Sequence, residues 1–255
     1  MKHIELYEKL EARFPALLRC DWDNDGIMCM CQPEREVKKV LVTLDVTEEA
    51  VGKAVDEDFD VILSHHPLLF RGVTHFDVRQ SVPRRLAQLV ANGITVLSYH
   101  TRLDCAQGGV NDILAEQLGL TDIEPYKVDG FPMGRVGNLP AALSPRSLAL
   151  FAKEALDAKQ AVMADGGSPV RRVAVLGGSG DDAVEPARAA GADALVTGEL
   201  KYHTLSDAHL CDLTLVALGH YETEQPVCEG LAKWLETTLE DAEIEIYHAN
   251  TLYRL

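Results

Sequence analysis

Residues 213–224 read LTLVALGHYETE and join a buried strand to chemically reactive side chains. The apolar run 213–218 is typical of a strand in the interior of a sheet. Pro226 then favours the start of a helix, because proline is well tolerated in the first helical turn. His220 and Glu224 are therefore predicted at the carboxyl end of a strand, in the turn before a helix. Open α/β sheets bind their ligands at such ends.

Two further strand ends carry the same kinds of side chain. One buried run leads to His65 and His66, and a later one leads to His100 and Asp104. Consecutive residues of an extended chain point to opposite sides, so the histidine pair can face one site only if the chain turns. Pro67 follows and favours that turn. We predict that the three strand ends meet around one metal site.

Each of these motifs also has a purely structural interpretation. His65 and His66 can be partly buried imidazoles that hydrogen-bond to the backbone, and Asp104 can be a turn residue. The four-residue spacing of His220 and Glu224 is common by chance. Taken together, the donors are nitrogen and oxygen atoms only, a set that suits zinc, iron or manganese rather than calcium or a thiolate site. A carboxylate among them can bridge two ions.

The order of the predicted elements indicates the fold class. Strands alternate with helices along the chain, which favours an α/β fold with mainly parallel, buried strands. Residues 121–137 are rich in proline and glycine, and we predict a domain boundary there. The first domain is expected to hold residues 1–125, joined by the C-terminal segment 235–255, and the second residues 126–234.

The two predicted domains show a weak internal similarity. Residues 60–65, DVILSH, resemble residues 193–198, DALVTG, and residues 94–97, ITVL, resemble residues 213–216, LTLV. Two related halves would each supply ligands from their strand ends. Buried strands also resemble one another by chance, so the similarity alone leaves both interpretations open.

The overall composition excludes several classes of protein. The formal net charge of −16 disfavours binding to nucleic acid, whose phosphates repel an acidic surface. No apolar run reaches ten residues, so we expect no membrane span. The first residues lack the apolar region of a signal peptide. The six cysteines include no C-x-x-C pair, which favours reduced thiols and a cytoplasmic location.

Two loop motifs resemble known binding loops without matching them. Residues 21–26, DWDNDG, begin like a calcium loop, but Gln32 occupies the position where a bidentate glutamate is needed. A turn organised by Asp and Asn side chains is preferred. Residues 177–180, GGSG, are interpreted as a tight turn rather than a phosphate cradle, because Asp181 and Asp182 follow and would repel a phosphate.

Five motifs in order resemble the YbgI/YqfO family, also called the Nif-three-like family or the GTP cyclohydrolase I type 2 homologues. The motifs are WDNDG at 22–26, SHHPLLF at 64–70, HTRLD at 100–104 with GGVND at 108–112, TGELKYH at 197–203 and GHYETE at 219–224. The resemblance extends over residues 14–240. Longer relatives carry an inserted middle domain, for which this chain has no room.

This resemblance implies a fold and a metal centre. The expected fold has two related, intertwined α/β domains, with two divalent metal ions at the strand ends between them. Its centre faces the interior of a ring-shaped homohexamer. By motif, the metal ligands are His65, His66, Asp104, His220 and Glu224, with Glu224 as the bridging carboxylate. The ions are zinc, iron or manganese.

The resemblance implies an activity less directly. We expect a metal-dependent hydrolase that acts on a nucleotide or another small phosphorylated molecule, with His100 and His203 as candidate proton carriers. Arg102 stands where the family often has Asn, and it is a candidate for binding an anionic substrate. The alternative is a metal-handling or regulatory interaction protein without catalytic turnover.

Overall fold

A computed structural model describes residues 1–210, 212–248 and 250 of the chain, so that Cys211 lies outside the described residues. The described strands are, in chain order, β1 Gly26–Cys29, β2 Lys39–Thr43, β3 Val61–Ser64, β4 Thr95–Ser98, β5 Thr121–Val128, β6 Phe131–Leu143, β7 Val162–Ala164, β8 Val170–Ser179, β9 Ala194–Glu199, β10 Thr214–Ala217 and β11 Glu243–Tyr247. The described α-helices are α1 His3–Arg13, α2 Glu48–Asp56, α3 Ser81–Asn92, α4 Thr101–Cys105, α5 Val110–Gln117, α6 Pro145–Ala155, α7 Val184–Ala189, α8 Tyr202–Ser206, α9 His220–Glu224 and α10 Val227–Thr238.

The chain forms two compact units, and the first is discontinuous in sequence. One unit holds residues 1–103 together with the C-terminal segment from residue 227, and the other holds residues 104–226. The division at 103 differs from the boundary predicted at 121–137. The proline and glycine residues of that stretch belong to the hairpin of β5 and β6, which turns at Asp129 and Gly130, both at positive φ. The proline and glycine residues that suggested a domain boundary thus belong to a hairpin.

The first unit contains a five-stranded sheet in the order β1-β4-β3-β2-β11. The strands β11, β2, β3 and β4 run parallel, and β1 pairs antiparallel with β4 at the edge. Every residue of β3 and β4 is buried, as expected for parallel strands covered on both faces. Burying one Leu or Ile side chain in such a core stabilises the fold by about 1.5–3 kcal/mol.

Local sequence signals place the helices of this unit. The Thr47 hydroxyl accepts a hydrogen bond from the Ala50 backbone N–H and caps α2, as its position before two glutamates predicts. Gly93 ends α3 in the left-handed conformation. Helix α1 is followed by a single 3₁₀ turn at Ala16–Leu18.

The second unit contains a six-stranded sheet in the order β5-β6-β8-β9-β10-β7. The central strands β8, β9 and β10 are parallel, whereas β5, β6 and β7 add antiparallel pairs at both sides. Ser144 caps α6 by accepting from the Ser147 backbone N–H, and Pro145 stands in the first turn, where proline is well tolerated. The chain therefore has the predicted α/β fold, with buried parallel strands at the centre of each sheet.

Both sheets share one local topology. In the first, three successive parallel strands, β2, β3 and β4, are followed at the edge by the antiparallel β1. In the second, β8, β9 and β10 have the same order, and the antiparallel β7 takes the edge beside β10. The weak similarity seen in the sequence pairs β3 with β9 and β4 with β10, which are equivalent strands in this comparison.

Among the described residues, no helix combines the length and the apolar character needed to cross a membrane.

The buried His3 generates a prediction about acid stability. Its Nδ1 lies 2.7 Å from the Thr95 hydroxyl, and burial lowers the pKa of its imidazole below the ordinary value of 6.5. Just below pH 6.5 the unfolded chain therefore binds more protons at His3 than the folded chain does. The contribution that His3 makes to stability above pH 6.5 is thus lost as the pH falls and the imidazole becomes protonated. We expect the free energy of unfolding to decrease between about pH 7.5 and 5.5, and His3→Gln to reduce that decrease.

Urea unfolding at the two pH values measures this effect. His75→Gln is the matched control, because His75 is exposed, and it should keep the wild-type pH dependence. An unchanged pH dependence in His3→Gln would show that His3 is not the group responsible.

Candidate metal centre

Three imidazoles of the first unit lie together at the carboxyl edge of its sheet. His65 and His66 directly follow β3, and His100 follows the neighbouring parallel strand β4. The ring centroids are 4.9 Å apart for His65 and His66, 5.2 Å for His65 and His100, and 5.6 Å for His66 and His100. One ring nitrogen of each residue lies within 4.8 Å of the other two, close enough for a metal ion.

The turn that brings the histidine pair together depends on Ser64. Its hydroxyl donates to the backbone carbonyl of His66 at 2.9 Å and lies 2.7 Å from the Ser98 hydroxyl. This local side-chain-to-backbone bond bends the chain at the strand end. The predicted turn at His65 and His66 is therefore present, and Ser64 holds it from the strand side.

Each of the three imidazoles contacts an oxygen atom through Nδ1. The distances are 3.1 Å from His65 to the Tyr99 carbonyl, 2.8 Å from His66 to Asp45 Oδ1 and 2.9 Å from His100 to Asp23 Oδ1. An acceptor at Nδ1 fixes the proton there, so the neutral ring carries its lone pair on Nε2. Carboxylates and carbonyls in this position orient metal-binding histidines in proteins. The first unit therefore holds imidazoles in the tautomer that a divalent ion requires.

Asp23 is a buried anchor for this arrangement. Its second carboxylate oxygen accepts from the Thr101 backbone N–H at 3.1 Å and from the Thr101 hydroxyl at 2.7 Å. Burial disfavours the charged form of Asp23, but the hydrogen bonds from His100 and Thr101 outweigh it and lower the pKa of this carboxyl to about 2. The DWDNDG segment is thus a turn whose side chains fix His100, consistent with the preference for a turn over a calcium loop.

The second unit brings two carboxylates and an imidazole together. His220 Nε2 lies 3.0 Å from Glu224 Oε2, and a carboxylate oxygen of Asp104 lies within 4.8 Å of one of Glu224. Asp104 and Glu224 are both buried. Two carboxylates this close repel one another in a poorly solvated site unless a cation or a proton compensates them. The donor set of nitrogen and oxygen atoms fits zinc, iron or manganese.

Glycine residues make room for Glu224. Gly178, at the end of β8, has a φ of +68°, and a Cβ atom there would lie 2.3 Å from Glu224 Oε1. Gly198, in β9, faces α9, the helix that carries Glu224, since an added Cβ would lie 2.8 Å from the His220 Cα. The GGSG motif is therefore neither a tight turn nor a phosphate cradle. Gly177 and Gly178 lie at the end of β8, and because they carry no side chain there is room for Glu224.

Sequence reasoning missed Asn111, a fully buried residue that connects two parts of this group. Its side-chain oxygen accepts from the Gly177 backbone N–H at 2.7 Å, and its side-chain nitrogen donates to the Asp104 carbonyl at 3.2 Å. The residue was visible in the GGVND motif, but only the fold shows that it positions Asp104. The Gly178 N–H similarly donates to the Thr223 hydroxyl at 3.1 Å.

His100 and His220 occupy equivalent positions in the two sheets. Each follows the last of three successive parallel strands, and each precedes a carboxylate by four residues, Asp104 in one case and Glu224 in the other. The short helices α4 and α9 carry these carboxylates. His220 Nδ1 also has an acidic neighbour, Glu199 Oε2 at 3.4 Å. A histidine–carboxylate spacing of four residues is therefore used once in each half of the chain.

Two other predicted residues have different surroundings. His203 is exposed on α8, and no described group of possible metal ligands includes it. Arg102, considered above as an anion-binding residue, is 2% exposed and donates to Asp25 at 2.8 Å and to Glu11 at 2.7 Å. Its charge is thus used in a buried ion-pair network, and the anion-binding interpretation is wrong.

Comparison with known proteins gives one family for almost the entire chain. A family model described as Duf34/NIF3 (NGG1p interacting factor 3) matches residues 1–252. The chain belongs to this family. The resemblance inferred from the five sequence motifs is therefore confirmed, because the NIF3 family includes proteins with the names that those motifs suggested.

Sequence relatives and solved structures resemble this chain over most of its length. A Streptomyces coelicolor protein named GTP cyclohydrolase 1 type 2 homolog is 37% identical over 235 residues, which cover 88% of this chain and 82% of the relative. The crystal structure of a Bacillus cereus protein related to NIF3 covers 100% of this chain and 99% of its own, with a TM-score of 0.89 at 23% identity. A structure titled protein ybgI, unknown function, covers 98% and 99%, with a TM-score of 0.87 at 26% identity.

The close approach of Gly178 to Glu224 generates a prediction. Gly178→Ala should displace the Glu224 carboxylate and lower the affinity for divalent metal by roughly 10–100-fold, as changes around metal ligands do. Gly191→Ala is the matched control, because Gly191 has a similar φ of +75° but nothing within 4 Å of an added Cβ.

Both variants should lose about 1–2 kcal/mol of stability from the strained backbone, whereas only Gly178→Ala should lose metal. Metal titration and thermal unfolding of both proteins provide the measurement. Equal metal affinities in the two variants would contradict the assignment of Glu224 as a ligand that this glycine accommodates.

Proposed function

We propose that this NIF3-family protein binds two divalent ions and acts as a metal-dependent hydrolase on a nucleotide or another small phosphorylated molecule. The observation that carries the proposal is the presence, in each unit, of buried or half-buried donors arranged for a cation. His65 and His66 are the proposed ligands from the first unit. Asp104, His220 and Glu224 are the proposed ligands from the second.

Glu224 is the proposed bridging carboxylate. Glu224 lies near both other candidate ligands of the second unit. His220 Nε2 lies 3.0 Å from one of its oxygens, and an Asp104 oxygen lies within 4.8 Å. Its burial and the glycines beside it restrict the carboxylate to this position. A group held in this way can be shared between two ions, while Asp104 serves mainly one.

Two divalent ions, when bound, supply Lewis acidity: they lower the pKa of water and stabilise charge on a reacting phosphoryl oxygen. The chain's own residues supply orientation and proton transfer. Asp45 and Glu199 hold the imidazoles of His66 and His220 through Nδ1. His100, fixed by Asp23, is the preferred proton carrier because its ring lies beside those of His65 and His66. His203 is the second candidate.

Cavities in both units support a catalytic role over metal handling. One of about 440 Å³ in the second unit is lined by Gly198, Glu199 and Gly219, which adjoin His220. Another of about 450 Å³ in the first unit is lined by the segment that follows His66. Small-molecule sites are concave and of this size, so these cavities favour a substrate near the candidate ligands. The name of the Streptomyces coelicolor relative, which refers to a nucleotide-hydrolysing enzyme, agrees with this substrate class.

The remaining parts of the proposal rest on the family resemblance. We propose that the protein assembles as a ring-shaped homohexamer, that it is cytoplasmic, and that its partners are other copies of itself and a small-molecule substrate. Its acidic charge disfavours nucleic acid.

The bridging role of Glu224 predicts unequal effects of two ligand substitutions. Elemental analysis of wild-type protein purified without chelator should give about two transition-metal ions per chain, as in two-metal sites. Glu224→Ala should lose both ions, and Asp104→Ala mainly one. Glu229→Ala, which changes an exposed glutamate in α10, is the control and should keep both. Wild-type protein that takes up no metal after reconstitution would refute the centre.

The proposed proton transfer predicts a difference between rate and metal content. His100→Ala should keep its ions but lower the rate by roughly 10²–10⁴-fold, the range expected for loss of a general acid or base. His203→Ala should change neither quantity if His100 is the carrier. The measurement is metal content and turnover on the same preparations, with a panel of nucleotides and phosphate monoesters.

Three results would require a different assignment. Loss of metal in His100→Ala would make His100 a ligand, and loss of rate in His203→Ala alone would transfer the proton-carrying role to His203. If the metal-loaded wild type turns over no member of the panel, metal handling without turnover becomes the better account.

A further inference from the structure

The segment after the histidine pair has an unusual composition for a surface loop. Residues 65–80 connect β3 to α3 without regular secondary structure, and ordered connections of this length are uncommon and usually functional. Four of its large apolar side chains are exposed: Phe70, Val73, Phe76 and Val78. Exposed apolar side chains gathered in one segment indicate a binding surface rather than packing.

Trp22 adds a further exposed aromatic ring beside this loop. Its ring centroid lies 6.1 Å from that of Phe70 and 6.0 Å from that of His100, and Phe70 lies 6.2 Å from His100. Trp22 is 58% exposed, although most tryptophans of folded proteins are largely buried. Two exposed rings therefore stand directly beside an imidazole of the candidate metal centre.

The position of Trp22 is fixed by its neighbours in sequence. Asp23 is held by His100 and Thr101, and the Asn24 side chain donates to the Leu69 carbonyl of the loop. The tryptophan is thus attached to a rigid turn and presented to solvent. A rigid aromatic ring offers a stacking surface at a low entropic cost.

Phe70 also lines a cavity of about 450 Å³ with a distinct electrostatic character. Arg71, Thr74, His75 and Gln80 contribute its polar lining, and none of the described residues that line it is Asp or Glu. Arg71 forms no ion pair with any carboxylate among the described residues, whereas the nearby Arg79 is paired with Asp77. In a chain with 40 acidic residues and a net charge of −16, a carboxylate-free cavity with an available arginine favours an anion.

We propose that this cavity and the two exposed rings form one binding site for a mononucleotide, whose base stacks on Phe70 with Trp22 at its edge and whose phosphate binds Arg71 and His75. Every base presents a π-face to aromatic side chains, and arginine binds phosphate through several N–H groups. This site adds a substrate-binding part to the proposed function. It rests on that function for the inference that the bound nucleotide is the substrate. It supplies the groups that would hold that substrate beside His100.

Trp22 provides a direct reporter of binding. The chain has two tryptophans, so Trp234→Phe leaves Trp22 as the only one. In this background, titration with adenosine 5′-monophosphate (AMP) should quench the fluorescence of Trp22. Adenosine and ribose 5-phosphate, which each carry one half of the nucleotide, should bind more weakly than AMP.

Two substitutions separate the parts of the site. Arg71→Gln should weaken AMP binding roughly tenfold, as expected for loss of a charged hydrogen bond, and should leave adenosine unchanged. Phe70→Leu should weaken AMP and adenosine by a similar factor and leave ribose 5-phosphate unchanged. Arg79→Gln is the matched control from the same loop, because Arg79 is paired with Asp77 and does not line the cavity.

Several outcomes would overturn this inference. They are no quenching by millimolar AMP, equal AMP affinities in Arg71→Gln and Arg79→Gln, and a Phe70→Leu variant that changes oligomeric mass in light scattering but not AMP affinity. The last would make the aromatic surface an interface between copies of the chain.

The titrations are made on chelator-treated and on metal-reconstituted protein, which separates the two proposals. Nucleotide binding with the expected variant effects in a protein that never takes up metal would refute the proposed function and support this site. Metal uptake without any effect of Arg71 or Phe70 on AMP binding would refute this site alone.

Discussion

A hydrogen bond from imidazole Nδ1 to an oxygen atom is the interaction on which the candidate centre depends. It recurs at His65, His66 and His100, although the acceptor differs: a backbone carbonyl in the first case and a carboxylate in the other two. His220 Nδ1 has an acidic neighbour instead, Glu199 Oε2 at 3.4 Å. The bond selects the tautomer and fixes the plane of the ring, so that Nε2 carries the lone pair. A parallel sheet suits this arrangement because it ends several strands at one edge. Asp45, His65 and His100 follow three neighbouring strands of the first unit.

The second unit meets a different constraint, the burial of like charges. Glu224 and Asp104 are both nearly inaccessible, and the local structure is built around them rather than around an apolar contact. Gly178 and Gly198 remove side chains that would occupy the space of α9, and Asn111 fixes the backbone at Asp104. These features would weaken a purely structural helix–sheet contact, since glycine adds no packing and buried carboxylates cost solvation. A bound cation would offset this cost, because it would compensate the negative charges of Asp104 and Glu224.

The sequence predicted much of the fold, and it indicated the candidate ligands because each lies just after a buried strand or in the short helix that follows one. Apolar runs locate the strands, and the carboxyl ends of parallel strands share one edge. Residues that position the ligands were harder to predict. Asp45 and Asn111 act through contacts between elements distant in sequence, and Ser64 acts through a bond to the nearby His66 carbonyl. Nothing in their local patterns distinguishes these residues from turn or core residues.

The errors of the sequence analysis have a common physical origin. Glycine and proline mark sharp changes in the backbone but not their purpose. Residues 121–137 therefore suggested a domain boundary where the chain forms a hairpin, and residues 177–180 suggested a turn where a strand makes room for Glu224. Arg102 suggested an anion site because a lone sequence cannot show that Asp25 and Glu11 already neutralise its charge.

Anomalous diffraction from crystals of the metal-reconstituted protein, recorded at the absorption edge of the added metal, tests the central claim most directly. The account predicts anomalous peaks at about 2.0–2.2 Å from Nε2, not Nδ1, of His65, His66 and His220, and from carboxylate oxygens of Asp104 and Glu224. Glu224 should contact two peaks. Peaks bonded to Nδ1, or no peak at any of these five residues in protein that elemental analysis shows to contain metal, would contradict it.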